Sequence, residues 1–296
     1  MAKITACSTL VYTTGSLREA VEGIAARGFS RVEIAHMGNY CSHYPPGQEP
    51  SEIKELLDAQ GLNPIAINYF PGHIVGQDMR ASKFNVPLYA RQYEAHMRDF
   101  LSEMHEVGVP LVLALVGRRT EASDRDEQVA AAAEILTRLA EYARGFGIKL
   151  ALEIPHCYSL CNTLERARDI FDRIESDNIG AVFDCTHQQV IGYSVREYLD
   201  VLGDRICHVH LRDAAGEDTA DFRQRLELTP GKGAVDFGRV ARELDRFEYD
   251  GEVTLELEYQ GWPLEKIEPE VDVAIPYLRE CGWTFSESVT EKARDR

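Results

Sequence analysis

The sequence predicts an α/β fold, a closed (β/α)8 barrel, on three observations. Short β-rich runs alternate with longer runs whose apolar residues recur three or four apart. This alternation implies parallel strands with right-handed crossovers, and eight units of roughly 37 residues suit a barrel. The glycine-rich phosphate fingerprint that an open nucleotide-binding sheet carries after its first strand is missing.

The first strand is expected at residues 3–8. It is followed by a helix in which Leu17, Val21, Ile24 and Ala25 share a face and Gly28 serves as C-cap. Strand two (31–35) leads to a helix at 52–60, strand three (64–68) to 88–107, and strand four (111–116) to 126–146. Strand five (149–154) precedes a helix at 164–174, and strand six (179–184) one at 195–202. Strand seven (206–211) and strand eight (252–258) lead to helices at 237–247 and 268–281. Segments 40–49, 70–85 and 214–230 continue no helical pattern; each follows a strand, on the face where barrel enzymes build their sites. No Pro/Gly/Ser-rich linker intervenes, so residues 1–285 are expected to form one barrel domain and 286–296 a polar C-terminal tail.

The 296 residues are 44% hydrophobic, enough for a large core, and carry 49 Asp+Glu against 32 Lys+Arg. The net charge of −17 repels phosphate backbones and argues against nucleic-acid or anionic-membrane partners. No apolar run nears the ~20 residues that cross a bilayer, and the first residues lack a secretory-signal pattern. Cys7, Cys41, Cys157, Cys161, Cys185, Cys207 and Cys281 are scattered as in a reducing compartment. The expectation is a soluble cytoplasmic protein.

Strand alternation then sorts the polar residues by face. Leu150, Leu152 and Ile154 oppose Ala151 and Glu153, while Ala181 and Phe183 oppose Val182 and Asp184. Cys207, Val209 and Leu211 oppose His208 and His210; Val253, Leu255 and Leu257 oppose Thr254, Glu256 and Glu258. The apolar sets suit the layer of outer helices. The other sets aim carboxylates and imidazoles at the barrel axis from four consecutive strands. Buried carboxylates cost several kcal/mol unless paired or metal-bound. A divalent cation fits such a set, and the residues do not choose among Mn²⁺, Co²⁺, Zn²⁺ and Mg²⁺.

The runs ALEIPH (151–156), FDCTH (183–187), HVHLRD (208–213), PGKGAVDF (230–237) and DGEVTLELE (250–258) occur in that order. Together they resemble the xylose-isomerase-like barrel superfamily, which includes ketose 3-epimerases, inosose isomerases and dehydratases, and endonuclease IV. The resemblance implies that Glu153, Asp184, His210 and Glu256 ligate one divalent metal, Mn²⁺ first, and that His187 faces the substrate. It also implies that Glu153 and Glu256 are catalytic and move a proton next to a carbonyl through a metal-stabilised cis-enediolate. The substrate would be a keto-sugar or cyclitol, and the protein a homo-oligomer with a small partner subunit as an option. Isomerase or epimerase is the first reading, with a dehydratase or hydratase acting through the same intermediate as the alternative.

The remaining polar residues receive lesser roles. His208 reads as a satisfied interior histidine, Glu33 as structural, and Glu258 as an alternative ligand to Glu256. His156 and His36 are candidate substrate contacts, and His73 and Arg212 are assigned to rim loops with the same role. Gly231 and Gly233 should make a tight turn before a helix near Asp236, with a weak claim on phosphate. Trp262 could pack over a sugar or cover a helix. Ser159 and Gly216 stand where ketohexose 3-epimerases carry a glutamate and an arginine, which disfavours that narrow activity. The endonuclease pattern of extra histidines is missing. A metal-free binding module is the third class.

Overall fold

The computed structural model describes every residue except 39, 42, 71–83, 122–123, 155–158, 218–224, 287–288 and 290–296. In chain order the strands are β1 (Ala6–Ser8), β2 (Arg31–His36), β3 (Asn63–Tyr69), β4 (Leu111–Leu115), β5 (Lys149–Glu153), β6 (Ile179–Asp184), β7 (Ile206–Leu211), β8 (Asp213–Ala215), β9 (Arg225–Leu228) and β10 (Glu252–Leu255). The helices are α1 (Leu17–Ala26), α2 (Pro50–Ala59), α3 (Pro87–Val107), α4 (Arg125–Arg144), α5 (Leu164–Arg173), α6 (Cys185–Ile191), α7 (Val195–Leu202), α8 (Phe237–Arg246) and α9 (Leu264–Glu280). Eight parallel strands close the predicted barrel in the order β1-β10-β7-β6-β5-β4-β3-β2, and β8 and β9 form a separate antiparallel pair.

The two faces of the strands separate as their alternation requires. Leu150, Leu152, Phe183, Val209, Leu211, Val253 and Leu255 join the outer core with the helices. Ala6, Ala66, Leu113, Ala151 and Val182 form a small cluster inside the barrel. Cys207, expected outside, packs against this inner cluster beside a register irregularity at Ala181 and Val182. Small apolar residues thus fill part of the interior, and the polar inward residues come from the C-terminal ends of the strands.

Helix boundaries shift for local reasons. α2 begins two residues early because Pro50 fits the first turn, where its missing N–H is not needed. α9 begins at Leu264, well before the expected 268, and carries Pro269 and Pro276 inside. α1 and α7 start in capping boxes, Ser16 with Glu19 and Ser194 with Glu197. α6 and the β8–β9 pair fall in stretches read as turn and loop. Among the described residues no helix is long and apolar enough to cross a membrane.

Candidate active site

Four strand ends converge at the C-terminal mouth of the barrel. Glu153 closes β5, Asp184 closes β6, and His210 lies near the end of β7. β10 stops at Leu255, shorter than expected, yet the amide of Glu256 still donates to the Leu211 carbonyl at 3.0 Å. All four side chains are buried, and a ligand atom from each lies within 4.8 Å of the others. The structure therefore brings together the four residues that the resemblance singled out.

His210 Nδ1 faces Glu256 Oε2 at 3.2 Å and Glu153 Oε1 at 3.5 Å. Among the described residues, neither His210 Nδ1 nor Glu256 Oε2 has a hydrogen-bond partner. Buried polar atoms are rarely left so, and an imidazole nitrogen among three carboxylates is a donor set that suits a divalent cation. Burial opposes charging His210, but the Glu256 and Glu33 carboxylates outweigh it and raise its pKa well above the ordinary value. Burial also raises Glu256, against the pull of His210 and Arg212. For Glu153, burial is overcome by His187 and His210, which hold the carboxyl below its usual range.

Asp184 is fixed on both oxygens. Its Oδ1 accepts from the amides of Thr186 (2.6 Å) and His187 (3.3 Å), so the residue that ends β6 also caps α6. Its Oδ2 accepts from Arg212 Nε and Nη2. Arg212 is a correction: it lies buried just past β7, not on the rim, and its Nη1 also pairs with Glu258. Glu258 is thereby engaged by Arg212, while Glu256 occupies the four-residue cluster. His187 stands in the first turn of α6, with Nε2 at 3.6 Å from both Glu153 and Asp184 and 3.2 Å from Arg212 Nη2.

Two inward residues support the cluster from the opposite side of the barrel. Glu33 Oε2 accepts from His208 Nε2 at 2.8 Å and from His210 Nε2 at 2.9 Å. Asn68 Nδ2 donates to Glu256 Oε1 at 3.0 Å. His208 lies in the interior as expected, with Nε2 also 3.2 Å from Thr254 Oγ1, but it is not fully satisfied: among the described residues its Nδ1 has no hydrogen-bond partner. The sequence reading gave Glu33 no contact with the histidines and passed over Asn68. The signal was available, because a lone amide in the apolar run PIAINY should mark an inward polar position.

The remaining candidates separate plainly. His73 and His156 lie outside the described residues. His36 is buried at the end of β2 and stacks on Tyr69, with centroids 5.4 Å apart. The glycine turn does not hold its amides open for phosphate: Asp213 accepts from Gly231 (2.9 Å), Gly233 (2.8 Å), Val235 (3.1 Å) and its neighbour Ala214 (2.8 Å). Trp262 stacks on Tyr259 at 4.8 Å and takes the Lys266 ammonium on its ring at 3.5 Å, which fits a covering role. Ser159 turns its hydroxyl back to the Cys161 amide.

A barrel with buried carboxylates and an imidazole at its C-terminal mouth defines a class of enzyme-like α/β barrels. The family profile described as xylose isomerase-like TIM barrel matches residues 21–281, and the chain belongs to that family. It is 24% identical over 243 residues to an inosose isomerase of Bacillus velezensis, covering 82% of this chain and 83% of that protein. It is 28% identical over 254 residues to a 3-dehydroshikimate dehydratase of Pseudomonas aeruginosa, covering 85% of this chain and 38% of that protein. Among solved structures, a D-tagatose 3-epimerase-like protein superposes with a TM-score of 0.74 at 24% identity, covering 94% of this chain and 97% of that one. The IOLI protein with a bound zinc atom gives 0.71 at 20% identity, covering 97% and 98%. The matched relatives are named as an inosose isomerase, a 3-dehydroshikimate dehydratase and a D-psicose 3-epimerase, which supports an enzymatic role for this chain.

Proposed function

We propose that this protein is a divalent-metal-dependent isomerase or epimerase of a keto-sugar or cyclitol ketone. One observation carries the reading: Glu153 and Glu256 flank His210 in a buried cluster with orphaned donor atoms facing each other. Glu153, Asp184, His210 and Glu256 would hold the ion, and the zinc bound in the IOLI protein on the same fold supports a divalent metal. When bound, the ion supplies Lewis-acid polarisation of the substrate carbonyl, which acidifies the neighbouring C–H. Glu153 and Glu256 are the catalytic residues: one carboxylate removes that proton and the other returns one to the resulting enediolate. Burial of both excludes water that would compete for the proton.

His187 is the substrate contact nearest the cluster, and Arg212 holds Asp184 in place beside it. His36, His73 and His156 complete the substrate contacts in this reading. Manganese comes first among the ions, and the family resemblance carries the homo-oligomer and cytoplasmic expectations.

A dehydratase is the second reading, favoured by Ser159, which turns inward on its own backbone where ketohexose 3-epimerases present a carboxylate. The test is incubation of the manganese-loaded protein with keto-sugars and inososes in D₂O. Deuterium at an α carbon without loss of water supports isomerisation; loss of water supports the lyase. Glu153→Gln should abolish exchange by either route, and persisting exchange would remove Glu153 from the catalytic role.

A further inference from the structure

We propose that Glu33 is a positioning residue that fixes which nitrogen of His210 carries the proton, so that Nδ1 presents its lone pair to the four-residue cluster. The metal arm of the proposal rests on the reading above; the proton arm stands without it.

Glu33 projects from β2 into the barrel and is fully buried, as are His208 and His210. Its single oxygen Oε2 meets Nε2 of both rings, at 2.8 and 2.9 Å. An ionised carboxylate only accepts hydrogen bonds, so each Nε2 in contact with it must be an N–H. Both ring nitrogens lie at hydrogen-bond distance from this one oxygen, which can accept from both but could donate to only one. With the proton of His210 committed to Nε2, the nitrogen left to ligate is Nδ1, which faces Glu153 and Glu256. The two rings stand edge to face, with centroids 4.9 Å apart, so one carboxylate oxygen can serve both. Histidine ligands of metals commonly rely on a carboxylate behind the ring in this way, and loss of that partner costs about 10–100-fold in metal affinity.

Glu33→Gln is the informative change. The glutamine has the same shape but only one accepting atom, and its NH₂ repels an N–H. The experiment uses protein labelled with ¹⁵N in histidine, read by long-range ¹H–¹⁵N NMR without metal, together with zinc titration by calorimetry. In the unaltered protein His210 Nε2 should carry a proton. In Glu33→Gln a form of His210 with a proton on Nδ1 and none on Nε2 should appear, and zinc affinity should fall about 10–100-fold. An Nε2 without a proton in the unaltered protein, or unchanged proton placement in Glu33→Gln, would overturn the proposal whatever the zinc result. Zinc binding neither protein while the proton placement behaves as expected would reject the metal reading and leave Glu33's positioning of the ring supported. Glu33→Asp, which keeps the charge, should restore the Nε2 proton if Glu33→Gln proves poorly folded; failure to restore it would count against the proposal.

Discussion

Arg212 grips Asp184 by a single oxygen: its Nε and Nη2 lie 3.1 and 2.8 Å from Oδ2. The same guanidinium reaches Glu258 through Nη1 and comes within 3.7 Å of Glu256 Oε2 through Nε. A buried arginine thus supplies fixed positive charge to a cluster otherwise dominated by carboxylates. Removing one partner of a buried pair leaves the other charge uncompensated, which costs about 3–5 kcal/mol. Arg212→Met should therefore lower stability by about that amount in urea unfolding with chelator present. A loss under about 1 kcal/mol would show that Asp184 finds another partner.

Asn68 tests whether the donor behind Glu256 matters to chemistry. Asn68→Ala removes the hydrogen bond to Glu256 Oε1 and leaves that oxygen free to turn away from its present direction. Turnover should fall about 10–100-fold, as for other groups that orient a ligand. Stability should change by no more than about 2 kcal/mol. Unchanged turnover in steady-state assays would mean that the barrel alone orients Glu256.

Asp213 organises the turn between the hairpin and α8 by accepting from four backbone amides. Hydrogen bonds to a charged acceptor are worth more than neutral ones, and Asp213→Ala should cost about 2–3 kcal/mol in urea unfolding. Gly233→Ala approaches the same turn from the other side. A Cβ there would lie 2.2 Å from Asp213 Oδ1 and 2.6 Å from the Ala214 carbonyl, so the loop must shift. If both variants melt like the unaltered protein, the latch carries no stability.

Acid should weaken the fold at a defined surface pair. Glu94 accepts from Arg138 at 3.0 and 2.7 Å and from Arg98 at 3.0 Å. Its Arg138 hydrogen bonds outweigh burial and lower the carboxyl pKa below the usual value. A carboxylate depressed on folding contributes stability in full above its unfolded pKa of about 4.3 and loses it as pH falls through the folded value. Unfolding free energy measured between pH 3 and 6 should drop below about pH 4.3, with a shallower drop in Glu94→Gln. Parallel curves for the two proteins would assign the acid limb to other groups.

Much of this architecture was readable from alternation alone. Ala151 and Val182 inside, with Leu150, Leu152 and Phe183 outside, follow directly from the two-residue period of a strand. The site residues on those strands followed with them. What escaped reading has local causes. α6 starts on the residue after β6, with Asp184 serving as strand end and helix cap at once, so no loop separates the periods. β8 and β9 are three and four residues long, too short for a two-residue period to mark them as strands. Glu33 was seen to point inward, but its two histidine partners stand 175 and 177 residues away, and pairing across the barrel cannot be read from spacing.

Metal dependence should be visible in stability before any substrate is known. A ligand that binds only the folded chain stabilises it by RT ln(1 + [L]/Kd), about 2.7 kcal/mol at one hundred times Kd. The four candidate donors come from β5, β6, β7 and the end of β10, so an ion among them would tie together strands that span half the barrel. Zinc or manganese should therefore raise the melting temperature of chelator-treated protein, and excess chelator should reverse the rise. His210→Ala removes the imidazole that faces both glutamates, and it should lose the ion-dependent part of the melting curve. An equal rise in His210→Ala would place the ion elsewhere on this acidic surface. No rise in the unaltered protein would remove the metal from the proposed chemistry, because the carboxylates would then be neutralised by Arg212 and the histidines alone.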